Sequence, residues 1–205
     1  MLAFNEKYLG MKNLFILIII LSKLNLVSQN NKSEAYFASG CFWCVESIYE
    51  SLKGVIEVES GYSGGSVKNP TYYQVLTGKT GHAEAIKVTY NPQIISFKDL
   101  VKVFFASHDP TTLNRQGPDV GTHYRSIAFF QNDNEKNIIN SEIKKLLDNN
   151  IYKKIVTEVQ KFISFYIAED YHQDYKKKNP NNPYIWSVSI PRINNFKNKF
   201  PELLK

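Results

Sequence analysis

The two cysteines of the chain lie three residues apart, in the segment Cys41-Phe42-Trp43-Cys44. A thiol becomes a nucleophile when it ionises, and two thiols at this spacing can act as a dithiol redox switch. The same spacing also fits half of a zinc site or a plain structural disulfide. Spacing alone therefore predicts cysteine chemistry at this segment without choosing among the three.

The two residues between the cysteines, Phe42 and Trp43, are both large aromatics. At the start of a helix such rings can simply belong to the core. Beside a reactive thiol they can instead form the wall of a pocket for a small apolar group such as a methyl. The pattern alone leaves both interpretations open.

Glu84 is the candidate acid. Strand alternation places it on the same face as Ile86, Val88 and Tyr90. A carboxyl among apolar neighbours favours its protonated form because it loses solvation, and it can then act as a general acid near neutral pH. The alternative is a solvated position at the edge of the strand, which is the more common environment of a glutamate.

The segments on either side of Cys41 predict a strand followed by a helix. The apolar run Ala35–Ser39 ends at Gly40 and is typical of a buried strand, and Gly54 is placed to end the helix that follows. A helix N-terminus lowers the pKa of a thiol through its dipole and free N–H groups, so we expect Cys41 to ionise readily. The apolar residues at helical spacing are Val45, Ile48, Tyr49 and Leu52.

The rest of the chain mixes strands and helices without strict alternation. Ser96 and Asp99 resemble a capping box, residues 108–123 predict a long loop, and the Pro- and Asn-rich tail predicts mostly irregular structure. We therefore expect one α+β domain over residues 33–205. Its mixed β-sheet, packed with helices, would form a ferredoxin-like two-layer core with long irregular loops and tail. Further strands are expected at 55–62, 84–90, 125–130, 155–159 and 162–168, and a further helix at 139–147.

The composition argues against several other classes of protein. A chain of 205 residues with 43% hydrophobic and 21% charged residues suits one folded domain. The net charge of +6 comes from scattered lysines rather than a basic stripe, so no nucleic-acid interface is indicated. Two cysteines in one segment exclude a scaffold of several disulfides.

Residues 1–29 are predicted to be a signal peptide or targeting segment, with Met11 as an alternative translation start. The apolar run Leu14–Leu21 is short for a membrane span, although an uncleaved anchor is the alternative interpretation. A functional signal would place the protein in the periplasm or another extracytoplasmic space. Without one, the protein would be cytoplasmic.

A series of short motifs extends over residues 35–180. In type and order they resemble the motifs of the peptide methionine sulfoxide reductase A family. The motifs are Gly40-Cys41-Phe42-Trp43, Gly61-Tyr62-x-Gly64-Gly65, Asn69-Pro70-Thr71-Tyr72, Gly81-His82-Ala83-Glu84-Ala85, His108-Asp109-Pro110, Arg115-Gln116-Gly117, Gly121-Thr122-x-Tyr124-Arg125-Ser126, Ala168-Glu169-Asp170-Tyr171-His172-Gln173 and Lys178-Asn179-Pro180.

The resemblance implies reduction of methionine S-sulfoxide, free or in proteins. The Cys41 thiolate would attack the sulfur, Glu84 would donate a proton to the departing oxygen, and Cys41 would become a sulfenic acid. A disulfide would follow, and thioredoxin or a thioredoxin-like protein would reduce it. The reduction of methionine sulfoxide in proteins would repair oxidative damage. The resemblance implies no metal and no bound organic cofactor, and we expect a monomer.

The resemblance also assigns the substrate contacts. Tyr72 and Tyr124 would hydrogen-bond the sulfoxide oxygen, and Phe42 and Trp43 would hold the methyl group. Asp119 matches a family position near the sulfoxide-binding site.

One position departs from a common form of the family. Many members have glycine where Cys44 stands and carry recycling cysteines near the C-terminus, where this chain has none. Cys44 is therefore the one internal thiol that can close a disulfide on Cys41. A pair only three residues apart is expected to need local unwinding of the helix start if the geometry does not already permit closure.

Two other functions compete with this interpretation. A general protein thiol–disulfide oxidoreductase would use the same dithiol, but it leaves Glu84, Tyr72 and Tyr124 without a task. An exported binding domain would use the two cysteines only to staple the helix start.

Two further sites are disfavoured from the sequence. A Cys–His hydrolase would need His108 or His123 beside Cys41, and a zinc site would need a histidine pair at ligand spacing, which the chain lacks. His82 is expected to have a packing role and Arg125 to form a structural ion pair.

Overall fold

The computed structural model describes residues 32–205, so the targeting segment predicted at residues 1–29 lies outside the described residues. The strands are β1 (Ser33–Ser39), β2 (Val55–Ser63), β3 (Ala83–Tyr90), β4 (Arg115–Gln116), β5 (Asp119–Val120), β6 (Ser126–Phe130), β7 (Glu158–Lys161) and β8 (Phe165–Ile167). The helices are α1 (Phe42–Glu50), α2 (Tyr72–Leu76), α3 (Phe97–Ala106), α4 (Asp133–Asp148), α5 (Tyr175–Lys178) and α6 (Ile190–Lys199). A π-helical turn spans Ile185–Ser189, and 3₁₀ turns span Thr122–Tyr124, Asp170–His172 and Pro201–Leu203.

Six strands form one mixed sheet in the order β7-β6-β1-β3-β2-β8. All neighbours are antiparallel except β6 and β7, which pair in parallel. Strands β4 and β5 form a separate hairpin within the long loop. The predicted α+β fold with a mixed sheet is confirmed.

Both faces of the sheet are covered, and β1 shows why. Phe37 points to the face that carries the helices and stacks near Tyr49 of α1 and Phe104 of α3. Its neighbour Tyr36 points to the opposite face and stacks on Phe162, with ring centroids 3.7 Å apart. Alternate residues of a strand point to opposite faces, so the four consecutive apolar residues of β1, 35–38, require burial on both.

Capping boxes begin two of the helices. In α3, the Ser96 hydroxyl accepts from the Asp99 N–H at 3.2 Å, and the Asp99 carboxylate accepts from the Ser96 N–H, as predicted. In α2, which the sequence analysis missed, Thr71 and Gln74 make the same reciprocal pair. The Thr-x-x-Gln spacing is a recognised helix start, and it supports even this five-residue helix, Tyr72–Leu76.

The tail is ordered rather than irregular, which corrects the sequence-based expectation. After α5 the chain forms the π-helical turn and then α6, whose Ile193 and Phe196 are buried in the main core. Pro191 lies in the first turn of α6, where proline is tolerated because its missing N–H is not needed. Within residues 32–205, every helix is too short or too polar to span a bilayer.

Glu46 of α1 links this helix to the loop before α5 by a hydrogen bond. One of its carboxylate oxygens accepts from the Asp174 N–H at 3.0 Å, while the other is buried without a hydrogen-bond partner. Burial is the main cause that raises the pKa of Glu46 from 4.5 to about 7. Because folding raises this pKa, the contribution of Glu46 to the stability of the fold is greatest below pH 4.5 and is lost as the pH rises through 7.

We expect Glu46→Gln to stabilise the fold at pH 8 by about 1–3 kcal/mol, because the amide keeps the acceptor and removes the buried charge. At pH 5 the gain should be small. Urea unfolding at both pH values measures the difference. Glu57→Gln, at an exposed position, is the control and should change little. Equal gains for Glu46→Gln at both pH values would contradict the account.

Candidate active site

Cys41 lies at the N-cap of α1, directly after the turn that ends β1. The turn requires Gly40, whose φ of 85° lies in the left-handed region and whose missing Cβ would stand 2.5 Å from the Gln116 side chain. The Cys41 carbonyl accepts from the N–H groups of Cys44 and Val45 at 3.1 and 3.4 Å. The sequence-based placement of Cys41 at the helix N-terminus is therefore correct.

The two thiols are free, buried and in contact with each other. Their side chains hydrogen-bond while the first turn of α1 is fully formed. The Cys44 Sγ also lies 3.0 Å from the Ser189 Oγ. The thiols therefore meet in an intact helix start, which is the case in which no local unwinding is expected.

Glu84 reaches the same point from β3. Its side chain is 2% exposed, and its Oε2 accepts from the Phe42 N–H at 3.0 Å. Burial, reinforced by the nearby Asp119 and Cys44, raises the pKa of Glu84 from 4.5 to about 8, against the opposing effect of the Phe42 N–H. The alternative of a solvated strand edge is wrong. A carboxyl that is mostly protonated at pH 7 can donate its proton.

The direction of the Cys41 pKa differs from the sequence-based expectation. Burial, Cys44 and Glu84 together raise the pKa of Cys41. By contrast, the hydrogen bond from Cys41, the Arg192 charge and Ser189 lower the pKa of Cys44 to about 6. Cys41 makes no side-chain capping bond, and the Phe42 N–H of the helix end is donated to Glu84 instead. These contacts favour ionisation of Cys44 over ionisation of Cys41.

Two tyrosine hydroxyls approach Glu84 and Cys41 from other segments. Tyr72 begins α2, and its backbone N–H donates to Glu169 at 2.9 Å. Tyr124 ends the 3₁₀ turn that follows β5. Burial, followed by the charge of Glu84, raises the pKa of both phenols, and Cys41 contributes further. Both hydroxyls stay protonated and can donate hydrogen bonds.

Aromatic rings enclose the site on the side of Phe42 and Trp43. Phe42 is buried, with its ring centroid 4.9 Å from that of His172 and 6.5 Å from that of Tyr72. Trp43 stacks on Tyr175 at 3.6 Å, and its Nε1 donates to the His172 Nδ1 at 3.1 Å. These contacts fix both rings, so Phe42 and Trp43 belong to the wall of the site as well as to the core.

Asp119 and Tyr184 close the site on the opposite side. The Tyr184 hydroxyl donates to the Asp119 carboxylate at 2.6 Å. It also lies within hydrogen-bonding reach of the Cys41 thiol, and it lowers the pKa of that thiol when its proton turns to the sulfur instead. The structure thus brings all eight predicted site residues together. Tyr184 and Arg192 were missed, because both lie in the tail that was expected to be irregular. No motif in the sequence indicated either of them.

The other predicted polar residues have structural roles. His82 is buried and accepts from the Gly65 N–H while its second ring nitrogen donates to the Val67 carbonyl. Arg125 forms an ion pair with Glu158 at 3.2 Å. His108 hydrogen-bonds the Phe104 carbonyl and the Ser126 hydroxyl rather than Cys41. Among residues 32–205, no three His, Cys, Asp or Glu side chains cluster as metal ligands would.

Comparison with known proteins gives one consistent family. The family model described as peptide methionine sulfoxide reductase matches residues 33–204. The chain is 48% identical over 171 residues to peptide methionine sulfoxide reductase MsrA of Saccharolobus solfataricus, covering 83% of this chain and 96% of that one. It is 47% identical over 172 residues to the MsrA of Pasteurella multocida, covering 84% and 98%.

Solved structures agree with the sequence comparison. The chain resembles the reduced form of Mxr1 from Saccharomyces cerevisiae with a TM-score of 0.68 and 37% identity, covering 74% of this chain and 88% of that one. It resembles methionine sulfoxide reductase A of Corynebacterium diphtheriae with a TM-score of 0.67 and 33% identity, covering 75% and 77%.

Proposed function

The chain belongs to the peptide methionine sulfoxide reductase family, and we propose that it reduces methionine S-sulfoxide, free and in proteins, to methionine. The observation that carries the proposal is the meeting of a thiol and a protonated carboxyl, Cys41 and Glu84, at the amino end of α1. A general thiol–disulfide exchange enzyme transfers no oxygen atom and therefore needs no acid to protonate one. A sulfoxide reductase needs such an acid, because oxygen leaves carbon-bound sulfur more readily once protonated.

Substrate binding uses the walls of the site. The sulfoxide oxygen carries partial negative charge and can accept from the hydroxyls of Tyr72 and Tyr124. The methyl group on the sulfur is apolar and fits the fixed rings of Phe42 and Trp43. Asp119 acts through Tyr184, which it holds against the Cys41 thiol.

The chemical step transfers one oxygen atom. The proton of Cys41 first moves across the thiol–thiol hydrogen bond to Cys44. The Cys41 thiolate then attacks the sulfoxide sulfur while Glu84 gives its proton to the oxygen. This attack forms a sulfur–sulfur bond between Cys41 and the substrate. The hydroxyl then moves from the substrate sulfur to the Cys41 sulfur as the sulfur–sulfur bond breaks. Methionine leaves, Cys41 holds the oxygen as a sulfenic acid, and Glu84 remains as a carboxylate.

Disulfide formation follows at the same place. Glu84, now ionised, takes the proton of the Cys44 thiol, and the Cys44 sulfur attacks the Cys41 sulfur. A sulfur–sulfur bond forms, the sulfur–oxygen bond of the sulfenic acid breaks, and the oxygen leaves as water with the returned proton. Thioredoxin or a thioredoxin-like dithiol then reduces the disulfide by exchange. No metal or bound organic cofactor is required by this cycle.

The biological role that we propose is repair. Oxidation makes a methionine side chain polar and disturbs the packing around it, and reduction restores the apolar thioether. If residues 1–29 act as an export signal, this repair takes place outside the cytoplasm with an exported electron donor. Otherwise the enzyme works in the cytoplasm.

Turnover of a blocked methionine S-sulfoxide with a thioredoxin system tests the proposed function. We expect continuous methionine formation from the S epimer and little from the R epimer, because one enzyme handles one epimer. Cys41→Ser should abolish the reaction. A folded, reduced protein that forms no methionine but reduces generic protein disulfides would instead support the thiol–disulfide oxidoreductase.

The pH profile of the same reaction tests the role of Glu84. The wild-type rate of the sulfoxide step should fall as the pH rises through about 8, because Glu84 loses the proton that it must donate. Glu84→Gln should lower the rate by about 10²–10⁴-fold and remove that alkaline limb. Glu46→Gln, a second buried carboxyl of raised pKa, is the matched control and should keep the limb. A near-wild-type rate for Glu84→Gln would reject the assignment.

A further inference from the structure

Two residues of the tail lie near the dithiol. Ser189 ends the π-helical turn, and Arg192 lies in the first turn of α6. Ser189 and Cys44 are both fully buried, and the Ser189 Oγ lies 3.0 Å from the Cys44 Sγ. A hydroxyl in this position can donate to a thiolate. Neither residue belongs to the motifs on which the family resemblance rests.

The guanidinium of Arg192 is fixed beside the turn that carries Cys41. Its Nε donates to the Ser107 carbonyl at 2.7 Å, and its Nη2 donates to the Ser39 carbonyl at 2.8 Å. A Cβ at Gly40 would lie 3.6 Å from its Nη1. The Arg192 guanidinium thus links the end of β1 to the end of α3 by two hydrogen bonds, and these bonds fix its positive charge near the buried thiols.

The charge of Arg192 is not neutralised by an ion pair. No carboxylate within the described residues forms a salt bridge with it. A cation in a partly dry environment favours an anion nearby. The titratable and charged groups that face Cys44 are Cys41 on the same helix, Glu84 on β3, Asp119 on β5, Tyr184 in the tail and Arg192 on α6.

We propose that Arg192 and Ser189 hold the negative charge of the reduced dithiol on Cys44. Ser189 contacts the sulfur directly, and Arg192 is a positioning residue that supplies the opposite charge. The lowered pKa of Cys44, about 6, agrees with this arrangement. Glu84 and burial keep the charge away from Cys41 until substrate arrives.

The consequence for the reaction rests on the proposed function. The Cys44 thiolate is the group that accepts the Cys41 proton. Because Ser189 and Arg192 stabilise that thiolate, they weaken it as a base and keep the proton on Cys41 until substrate binds. The same two residues then favour ionisation of Cys44 when it attacks the sulfenic acid. In this chain the tail therefore supports the resolving cysteine of α1 rather than carrying one.

Thiolate absorbance at 240 nm, followed against pH between 5 and 9, tests the inference without any sulfoxide. The measurement uses Cys41→Ser, in which Cys44 is the single thiol and the serine hydroxyl keeps a donor beside it. In this background Arg192→Gln should raise the midpoint by about one to three pH units. Arg192→Lys keeps the charge and should recover at least half of that shift. Ser189→Ala should raise the midpoint by a smaller amount.

Arg115→Gln, in the β4–β5 hairpin, is the matched control and should leave the midpoint unchanged. A purely structural role for Arg192 predicts equal behaviour of the Gln and Lys variants, because both lose the bidentate fork. That result, or a midpoint that stays within about 0.3 pH unit of the parent in both Arg192→Gln and Ser189→Ala, would overturn the inference.

A second readout in the protein with both cysteines separates this inference from the proposed function. After one turnover, Arg192→Gln at pH 7 should lose its second thiol about tenfold more slowly than the parent, as expected if the pKa of Cys44 rises by about two units from about 6. Absence of methionine from the parent would defeat the proposed function and leave the titration result standing. Normal second-thiol loss in Arg192→Gln would defeat the inference alone.

Discussion

The amino end of α1 must accommodate three acidic groups, Cys41, Cys44 and Glu84, in a space that is almost closed to water. Each group loses solvation when it ionises there, and each negative charge opposes the next. The helix end donates its Phe42 N–H to Glu84, and Arg192 supplies a full positive charge that favours ionisation of Cys44. Beside the Asp119 carboxylate, the proposed resting state therefore places the negative charge of the dithiol on Cys44 and keeps the protons on Cys41 and Glu84.

This distribution of protons suits the proposed oxygen transfer. The step needs a thiolate and an acid at the same time. In water, an acid close to a thiolate would tend to give its proton to the thiolate. Burial makes Glu84 a weak acid, and the second thiol stores the charge one hydrogen bond away from the attacking sulfur. The sheet, the β4–β5 hairpin and the ordered tail bury these groups and so maintain the shifted pKa values of Cys41, Cys44 and Glu84.

The sequence allowed the catalytic segments to be predicted because their signals are local. An apolar run, a glycine and a helical repeat placed Cys41 at a helix start, and strand alternation placed Glu84 on a buried face. The tail was harder, since asparagine and proline are poor helix formers and α6 is stabilised by packing of Ile193 and Phe196 rather than by propensity. The roles of Tyr184 and Arg192 depend on contacts with residues that are 65 to 153 positions away in the chain, which periodicity does not reveal.

The Cys41 pKa was predicted in the wrong direction for a related reason. A helix N-terminus favours a thiolate only when its N–H groups are available and the site is wet enough to hold the charge. The spacing of two cysteines predicts neither the hydrogen bond from the Phe42 N–H to Glu84 nor the burial of the two thiols. Both are properties of the assembled sheet.

The most direct test of the account is a count of products in a single burst. Reduced protein is mixed with excess blocked methionine S-sulfoxide and no reductant, and methionine formed and free thiols lost are counted per enzyme. The account predicts about one methionine with loss of both thiols, because Cys44 closes on the oxidised Cys41. One methionine with loss of a single thiol would leave Cys44 idle, and no methionine would contradict the central claim.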